Sequence, residues 1–215
     1  MRLYQPKDRQ AIREICVATA NAGNPIDHYF SDRELIADLV TSYYTDYEPG
    51  ALWVAEHDGI VVGYLTGSLD QQKYDAIVSR IGLKAGLKSI CRGILFHRSS
   101  WRFLLTILKT AMAGGFNKKI LFDQYPTHLH LNIDRDFRGK NIGAKLMECF
   151  VSQVRQKDLH GIYAIVRSDN VGGCQFFEKS GFVRLSQHPA FFLSANKIFK
   201  GATIVLGRKI STACP

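Results

Sequence analysis

The chain has 215 residues, 46% of them hydrophobic and 22% charged, and carries a formal net charge of +9. That balance excludes a disordered or low-complexity chain and predicts a soluble globular protein, and the length fits one domain with a full core or one domain plus an insertion. Five cysteines lack the paired spacing of zinc or redox sites, Met1 is followed by no apolar signal core, and no apolar run spans a membrane; the expectation is a reduced cytoplasmic protein, monomer or homodimer, with no bound metal.

In chain order, Arg2-Leu3-Tyr4 predicts a short strand, and Pro6 opens a helix to about Ala20 with Ile12, Ile15, Cys16 and Thr19 inward. A loop with Gly23 and Pro25 follows. Ser31 with Glu34 three residues on is a capping-box signature for a helix carrying Leu35, Ile36, Leu39 and Val40. Residues 51 to 56 and 60 to 69 read as strands of a hairpin joined at His57-Asp58-Gly59. Two helices are predicted next, at about 73 to 95 and 100 to 113, ended by Gly114-Gly115. From Ala76 to Phe122 there is no Asp or Glu, while nine Lys and Arg lie there, so the basicity belongs to this segment alone. Arg80, Lys84, Lys88 and Arg92 recur every four residues as one stripe; the second helix is bulkier, with Trp101, Phe103, Leu104, Leu105, Ile107 and Leu108.

Residues 127 to 133 alternate, with His128, His130 and Asn132 on one side and Leu129, Leu131 and Ile133 on the other. After Asp134 comes a charged turn with Gly139 and Gly143. A helical stripe of Ile142, Leu146, Met147, Phe150, Val151 and Val154 then begins. A strand, a basic glycine turn and a helix start make an anion site, because first-turn N–H groups are unpaired and the helix dipole is positive there. Residues 161 to 168 read as a buried strand, followed by a short helix capped by Asp169 or Asn170 and ended at Gly181. Phe182 to Ser186 and Thr203 to Leu206 predict two antiparallel strands around an aromatic loop at 187 to 202.

Two of these stretches resemble the GNAT superfamily of N-acetyltransferases. Arg138-Gly139-Lys140-Asn141-Ile142-Gly143-Ala144 is similar to its acetyl-CoA motif, with Asn141 where the first motif glycine is usual. Asn tolerates left-handed backbone better than most residues. The segment from Asn170 to Phe182 resembles the second motif at Asn170, Phe176, Glu178, Lys179, Gly181 and Phe182, with Gly173 for its alanine and Phe177 for its tyrosine. Tyr125 to Ile133, with Asp8-Arg9 and Ala22-Gly23-Asn24, is also similar to acetyltransferase-like proteins related to the C-terminal domain of O-GlcNAc hydrolases. The resemblance implies a single α/β domain over 1–215 of GNAT (acyl-CoA N-acyltransferase) fold, a mixed, mostly antiparallel sheet with helices on both faces, with a basic helical insertion at about 71–126 where most members have a short connection. The strands at 127 to 133 and 161 to 168 would run parallel and diverge at the co-substrate.

The implied activity is transfer of an acetyl group from acetyl-CoA to a primary amine by direct attack in a ternary complex. In that reading Leu131, Asn132 and Ile133 hold the pantetheine arm, and 138 to 144 (Arg138, Gly139, Lys140, Asn141, Ile142, Gly143, Ala144) hold the pyrophosphate. Asn170, Phe176 and Phe177 also bind the co-substrate, Asn170 holding the pantetheine or orienting the site. The base is His130 or His128, with Glu56 a third candidate; an imidazole pKa near 6.5 suits proton removal near neutral pH. Phe177 cannot donate to the leaving sulfur, so Tyr163, Tyr125 or water would. Cys174 reads as a small buried residue. A non-catalytic acyl-CoA-binding or protein-interaction domain is the alternative. The basic insertion, read as packed over the active-site side, has three readings: a solvated face, an attractor of an acidic acceptor or coenzyme phosphates, or a contact with an anionic membrane or nucleic acid. No nucleic-acid motif accompanies it, and an acidic small molecule or peptide ranks above RNA or DNA.

Overall fold

The computed structural model describes residues 1–26, 32–91, 98–117, 123–194 and 197–211. Strand β1 (Arg2–Leu3) leads through a 3-10 turn at Pro6–Asp8 into helix α1 (Arg9–Thr19). Arg2 anchors this start, its guanidinium bridging Asp8 at 2.7 Å and Glu56 at 2.6 Å. Helix α2 (Arg33–Asp46) is capped by Asp32, whose carboxylate accepts from the Leu35 N–H at 2.9 Å. The capping role expected of Ser31 therefore passes to Asp32, and Ser31 itself lies outside the described residues.

Strands β2 (Leu52–His57) and β3 (Ile60–Ser68) form the expected hairpin. Asp58 and Gly59 both have positive φ, 50° and 77°, which a two-residue turn of this hand requires. Helices α3 (Gln71–Cys91) and α4 (Arg98–Met112) occupy the basic segment. Then follow β4 (Thr127–Ile133), α5 (Ile142–Gln156), β5 (Gly161–Arg167), α6 (Val171–Lys179), β6 (Val183–Ser194) and β7 (Lys197–Lys209).

The strands make one seven-stranded sheet in the order β1-β2-β3-β4-β5-β7-β6. Every neighbouring pair is antiparallel except β4 and β5, which run parallel. This is the mixed sheet expected. The aromatic stretch at 187 to 202 departs from its loop reading, because β6 and β7 pair from Val183 to Ser194 and Phe192 sits opposite Phe199. Cross-strand aromatic contact, with the two rings 5.8 Å apart, supports the pairing. Pro189 is tolerated because β6 is the sheet's edge.

The alternation in each strand sorts side chains to two cores. Leu65, Leu129, Ile162 and Leu206 meet Leu146, Phe150 and Val154 of α5, and Cys174 and Phe177 of α6 join them. On the other face Leu52, Val54 and Tyr64 meet Ile12, Ile15 and Cys16 of α1 and Tyr43 and Tyr44 of α2. The histidines and the leucines of β4 therefore look in opposite directions.

Gly67 marks how tightly α5 seats on this sheet. A Cβ there would lie 2.1 Å from the Phe150 ring and 3.1 Å from the His128 carbonyl oxygen. Gly67→Ala should lower stability by about 1–3 kcal/mol through overpacking. Denaturant unfolding checks this, and an unchanged midpoint would contradict the packing described.

Candidate functional site

Strands β4 and β5 pair only at Thr127 with Ile162 and His128 with Tyr163. Beyond that point β4 stays with β3 up to Ile133 and β5 stays with β7 up to Arg167, so the two strands part. The phase of the β3–β4 ladder decides which groups face the gap. Asp134 N donates to Val62 O at 2.9 Å. Antiparallel pairs alternate, so Asn132 and His130 spend their backbone groups on β3, while Leu131 and Ile133 turn theirs toward the gap. Arg138 Nε takes the Ile133 carbonyl at 3.1 Å, and its Nη2 reaches Gly23 O at 2.9 Å. Arg138 thus ties the turn to the loop after α1, whereas the sequence suggested only an added charge.

The turn before α5 has the backbone its sequence implied. Gly139 and Asn141 have φ of 75° and 60°, so Asn141 does adopt the left-handed conformation of the usual glycine. The Lys145 N–H bonds to Asn141 O at 3.3 Å. Among the described residues the N–H groups of Ile142, Gly143 and Ala144 find no hydrogen-bond partner. A Cβ on Gly143 would come within 3.0 Å of the Phe176 ring and 3.6 Å of Leu131. Gly143 therefore brings the start of α5 against α6 and the open side of β4. Lys140 is exposed, its ammonium 4.5 Å from the Phe137 ring centroid. Such a set of donors and cations fits a phosphate chain.

Asn170 caps α6, its side-chain oxygen accepting from Gly173 N at 2.9 Å. A Cβ on Gly173 would lie 2.7 Å from the Asn170 amide, which accounts for glycine there. The Asn132 amide donates to the Tyr64 hydroxyl at 2.8 Å, away from the α5 side. Phe177 is buried, its ring edge-on to Phe176 and Phe182 at 5.4 and 5.1 Å between centroids. Cys174 is buried too, and burial pushes its thiol up.

On the face of α1 and α2 a polar cluster surrounds the fork of the strands. The Gln71 side-chain oxygen at the start of α3 accepts from His128 Nδ1 at 2.8 Å and from the Tyr163 hydroxyl at 3.1 Å. With its proton on Nδ1, His128 uses Nε2 to accept from the Tyr44 hydroxyl at 2.9 Å. Both ring nitrogens are thus engaged. Burial, then the neighbouring His130, pull the His128 pKa down to about 3. The Tyr74 ring packs edge-on, 4.3 Å from the His128 ring centroid.

His130, two residues on, is half-buried. Among the described residues its ring makes no hydrogen bond, and it lies 6.1 Å from the Tyr44 ring and 5.8 Å from that of His128. Burial lowers its pKa below the ordinary 6.5, so the imidazole is neutral at neutral pH. Burial raises the Tyr163 pKa, which keeps that hydroxyl protonated. Two other candidates lie elsewhere. Glu56 is exposed and held by Arg2, and Tyr125 is buried ahead of β4, at the end opposite the gap.

Tyr44, Gln71 and Tyr74 were not singled out from the sequence. The signal was thin: Tyr43-Tyr44 continues an otherwise aliphatic stripe, and Gln71 stands alone at a helix start. Their placement tests the His128 assignment. The unfolded chain protonates His128 near 6.5 but the folded protein only near about 3, so stability is full above 6.5 and falls as pH drops between the two. The slope should approach about 1.4 kcal/mol per pH unit for this group. Unfolding curves from pH 7 to 4 should be flatter for His128→Gln; the same slope in both proteins would contradict a buried neutral His128.

Residues 110–182 match the sequence profile of the Acetyltransferase (GNAT) family. No curated protein sequence matches the chain. Among solved structures, the crystal structure of SsHAT superposes with a TM-score of 0.70 at 24% identity, covering 98% of this chain and 97% of that one. YncA from Salmonella typhimurium, solved with its cofactor acetyl-CoA, gives 0.59 at 14% identity over 100% and 95% of the two chains. A polyamine N-acetyltransferase of Drosophila melanogaster gives 0.59 at 15% identity over 97% and 98%. These likenesses show the fold, and residues 110–182, which hold both motif-bearing stretches, are similar to the GNAT acetyltransferase family.

Proposed function

We propose that this chain transfers the acetyl group of acetyl-CoA to a primary amine by direct attack in a ternary complex. The observation that carries the reading is the gap between β4 and β5, with the Leu131 backbone and the Ile133 N–H turned to it on one side and a neutral histidine at its edge. Leu131 and Ile133 would receive the pantetheine arm and thioester through their backbone. The N–H groups from Gly139 to Ala144, with Lys140 above them, would take the pyrophosphate. Gly143 and Phe176 shape the wall between those two parts, and Asn170 and Phe177 stand behind it.

In the reaction the amine nitrogen forms a bond to the thioester carbon and the carbon–sulfur bond breaks. The amine loses its proton to His130, whose ring is neutral and unengaged by hydrogen bonds among the described residues. His128 is the weaker candidate for base, because both its nitrogens already have partners. It would instead fix the geometry around His130. Since Phe177 offers no hydroxyl, the departing thiolate would be met by the protonated Tyr163, whose hydroxyl would have to turn from Gln71 to the sulfur. The acceptor is left open, as is the closer kinship with O-GlcNAc hydrolase-related acetyltransferases suggested by Tyr125 to Ile133. Phe177 also favours a second reading, an acyl-CoA-binding domain without transfer; isotopic acetyl transfer to an amine panel separates the two.

Two variants test this reading. Gly143→Glu puts a side chain into the Phe176 contact and a negative charge beside the phosphates, so acetyl-CoA should bind at least about tenfold more weakly in a folded protein. Calorimetry giving the parent affinity would sink the site. His130→Gln should lower turnover by about a hundredfold or more and remove the acid limb of the rate profile, whose midpoint lies below 6.5. Parent turnover with the limb retained would exclude His130.

A further inference from the structure

Helix α4 is amphipathic with its two sides the reverse of what a soluble core needs. The face turned to the protein carries Ser100, Thr106 and Thr110, all buried, with Phe103. Thr106 donates to its own backbone at Phe103 O (2.6 Å), and Thr110 accepts from Phe191 N of β6 at 2.9 Å. The large apolar side chains point out: Trp101, Leu104, Leu105, Leu108 and Met112 recur at helical spacing, with Trp101 63% and Met112 80% exposed. Helix α3 repeats the arrangement. Ala85 packs on Leu35 and Ile36 of α2, the same cluster that Phe103 joins, while Leu83, Leu87 and Ile90 form an outward stripe, each more than half exposed. An exposed apolar surface on this scale marks something that covers it.

Charge decides what that is. The segment holding both stripes has no acidic residue from Ala76 to Phe122. On α3 the exposed Arg80 and Lys84 flank the stripe, and on α4 the exposed Arg102 and Lys109 do so. Lys88 turns inward to Asp38 at 2.9 Å, and Asp38 is shared with Arg13, which leaves that carboxylate no role at the surface. A second copy of the chain docked symmetrically on these stripes would bring the cations of this segment together, and the segment itself carries no acid to meet them. A helical or extended peptide needs a groove; the hollows around Asp123 and Lys209 and around Gln10 and Arg33 lie elsewhere, and the outward aliphatic side chains of α3 and α4 make ridges. Aliphatic ridges with a tryptophan and flanking cations suit the headgroup boundary of a bilayer. No helix among the described residues is long and apolar enough to cross one.

We propose that the outward stripes of α3 and α4 dock the protein on anionic lipid surfaces, the apolar side chains inserted at the interface and Arg80, Lys84 and Lys109 against acidic headgroups. This is independent of the acetyl-transfer reading. Sedimentation with phosphatidylcholine vesicles, with and without roughly one-third phosphatidylglycerol, tests it. The full chain should bind the anionic vesicles at least about tenfold more tightly than the neutral ones and lose that preference in roughly 0.5 M salt. Trp101 emission should shift to the blue on binding, and Trp101→Phe should abolish the shift. Leu104→Glu with Leu108→Glu should weaken binding at least about tenfold with acetyl-CoA affinity and melting temperature held. Should that pair fail to fold, Arg80→Gln with Lys84→Gln, which changes only exposed positions, should lower anionic binding by about fivefold or more. Absence of binding to anionic vesicles, equal binding to neutral ones, or a solution dimer that the Leu104 and Leu108 changes make monomeric would each overturn the proposal.

Discussion

The parting of β4 from β5 after a single pair of rungs is the constraint on which the rest of this molecule turns. Backbone groups inside a sheet are normally consumed by the neighbouring strand. Here β4 gives one edge to β3 along its full length and leaves most of the other uncommitted, because β5 is held by β7 from Gly161 to Arg167. Two half-sheets result, joined at Thr127 and His128. An open parallel edge within a folded core is unfavourable unless something fills it, and in the proposed reading an extended thioester arm would fill it.

Several contacts keep the fork open. At the far end of β5 the Arg167 guanidinium pairs with Asp169 at 2.6 Å, reaches Asn21 at 3.0 Å and stacks 4.1 Å over the Phe192 ring of β6. That draws the end of β5 to the β6–β7 hairpin and the loop after α1. On the β4 side Arg138 ties the turn to Gly23 of the same loop. Beneath the gap α5 meets α6 where Gly143 touches Phe176. Above it the hydrogen bonds among Tyr44, His128, Gln71 and Tyr163 link α2, β4, α3 and β5. The insertion is thereby connected to the fork through its first residue, and its outer faces are left for the proposed lipid contact.

The sequence made the scaffold readable where patterns were long and local. Alternation at 127 to 133 and the stripe from Ile142 to Val154 place β4 and α5 without ambiguity, and Asp58-Gly59 specifies its turn. The left-handed conformation of Asn141 also follows from residue type. The aromatic stretch at 187 to 202 reads as a loop because Pro189 and Gly201 resemble loop signals, whereas an edge strand tolerates proline and pairs Phe192 with Phe199. The site was less legible. Its polar cluster joins residues from α2, α3, β4 and β5, a tertiary arrangement that no local spacing encodes. The outward turn of the apolar side chains on α3 and α4 was hidden for the same reason: periodicity reveals a stripe but not which side the protein covers.

The measurement that bears most directly on the open edge is amide hydrogen exchange, resolved by residue, with and without acetyl-CoA. The phase of the β3–β4 ladder predicts that the Leu131 and Ile133 amides, together with those of Ile142, Gly143 and Ala144, exchange freely in the free protein. They should slow together on addition of acetyl-CoA, while Asn132 and His130 change little. Protection that falls on Asn132 and His130 instead, or that leaves the start of α5 untouched, would contradict a thioester arm seated between the two half-sheets.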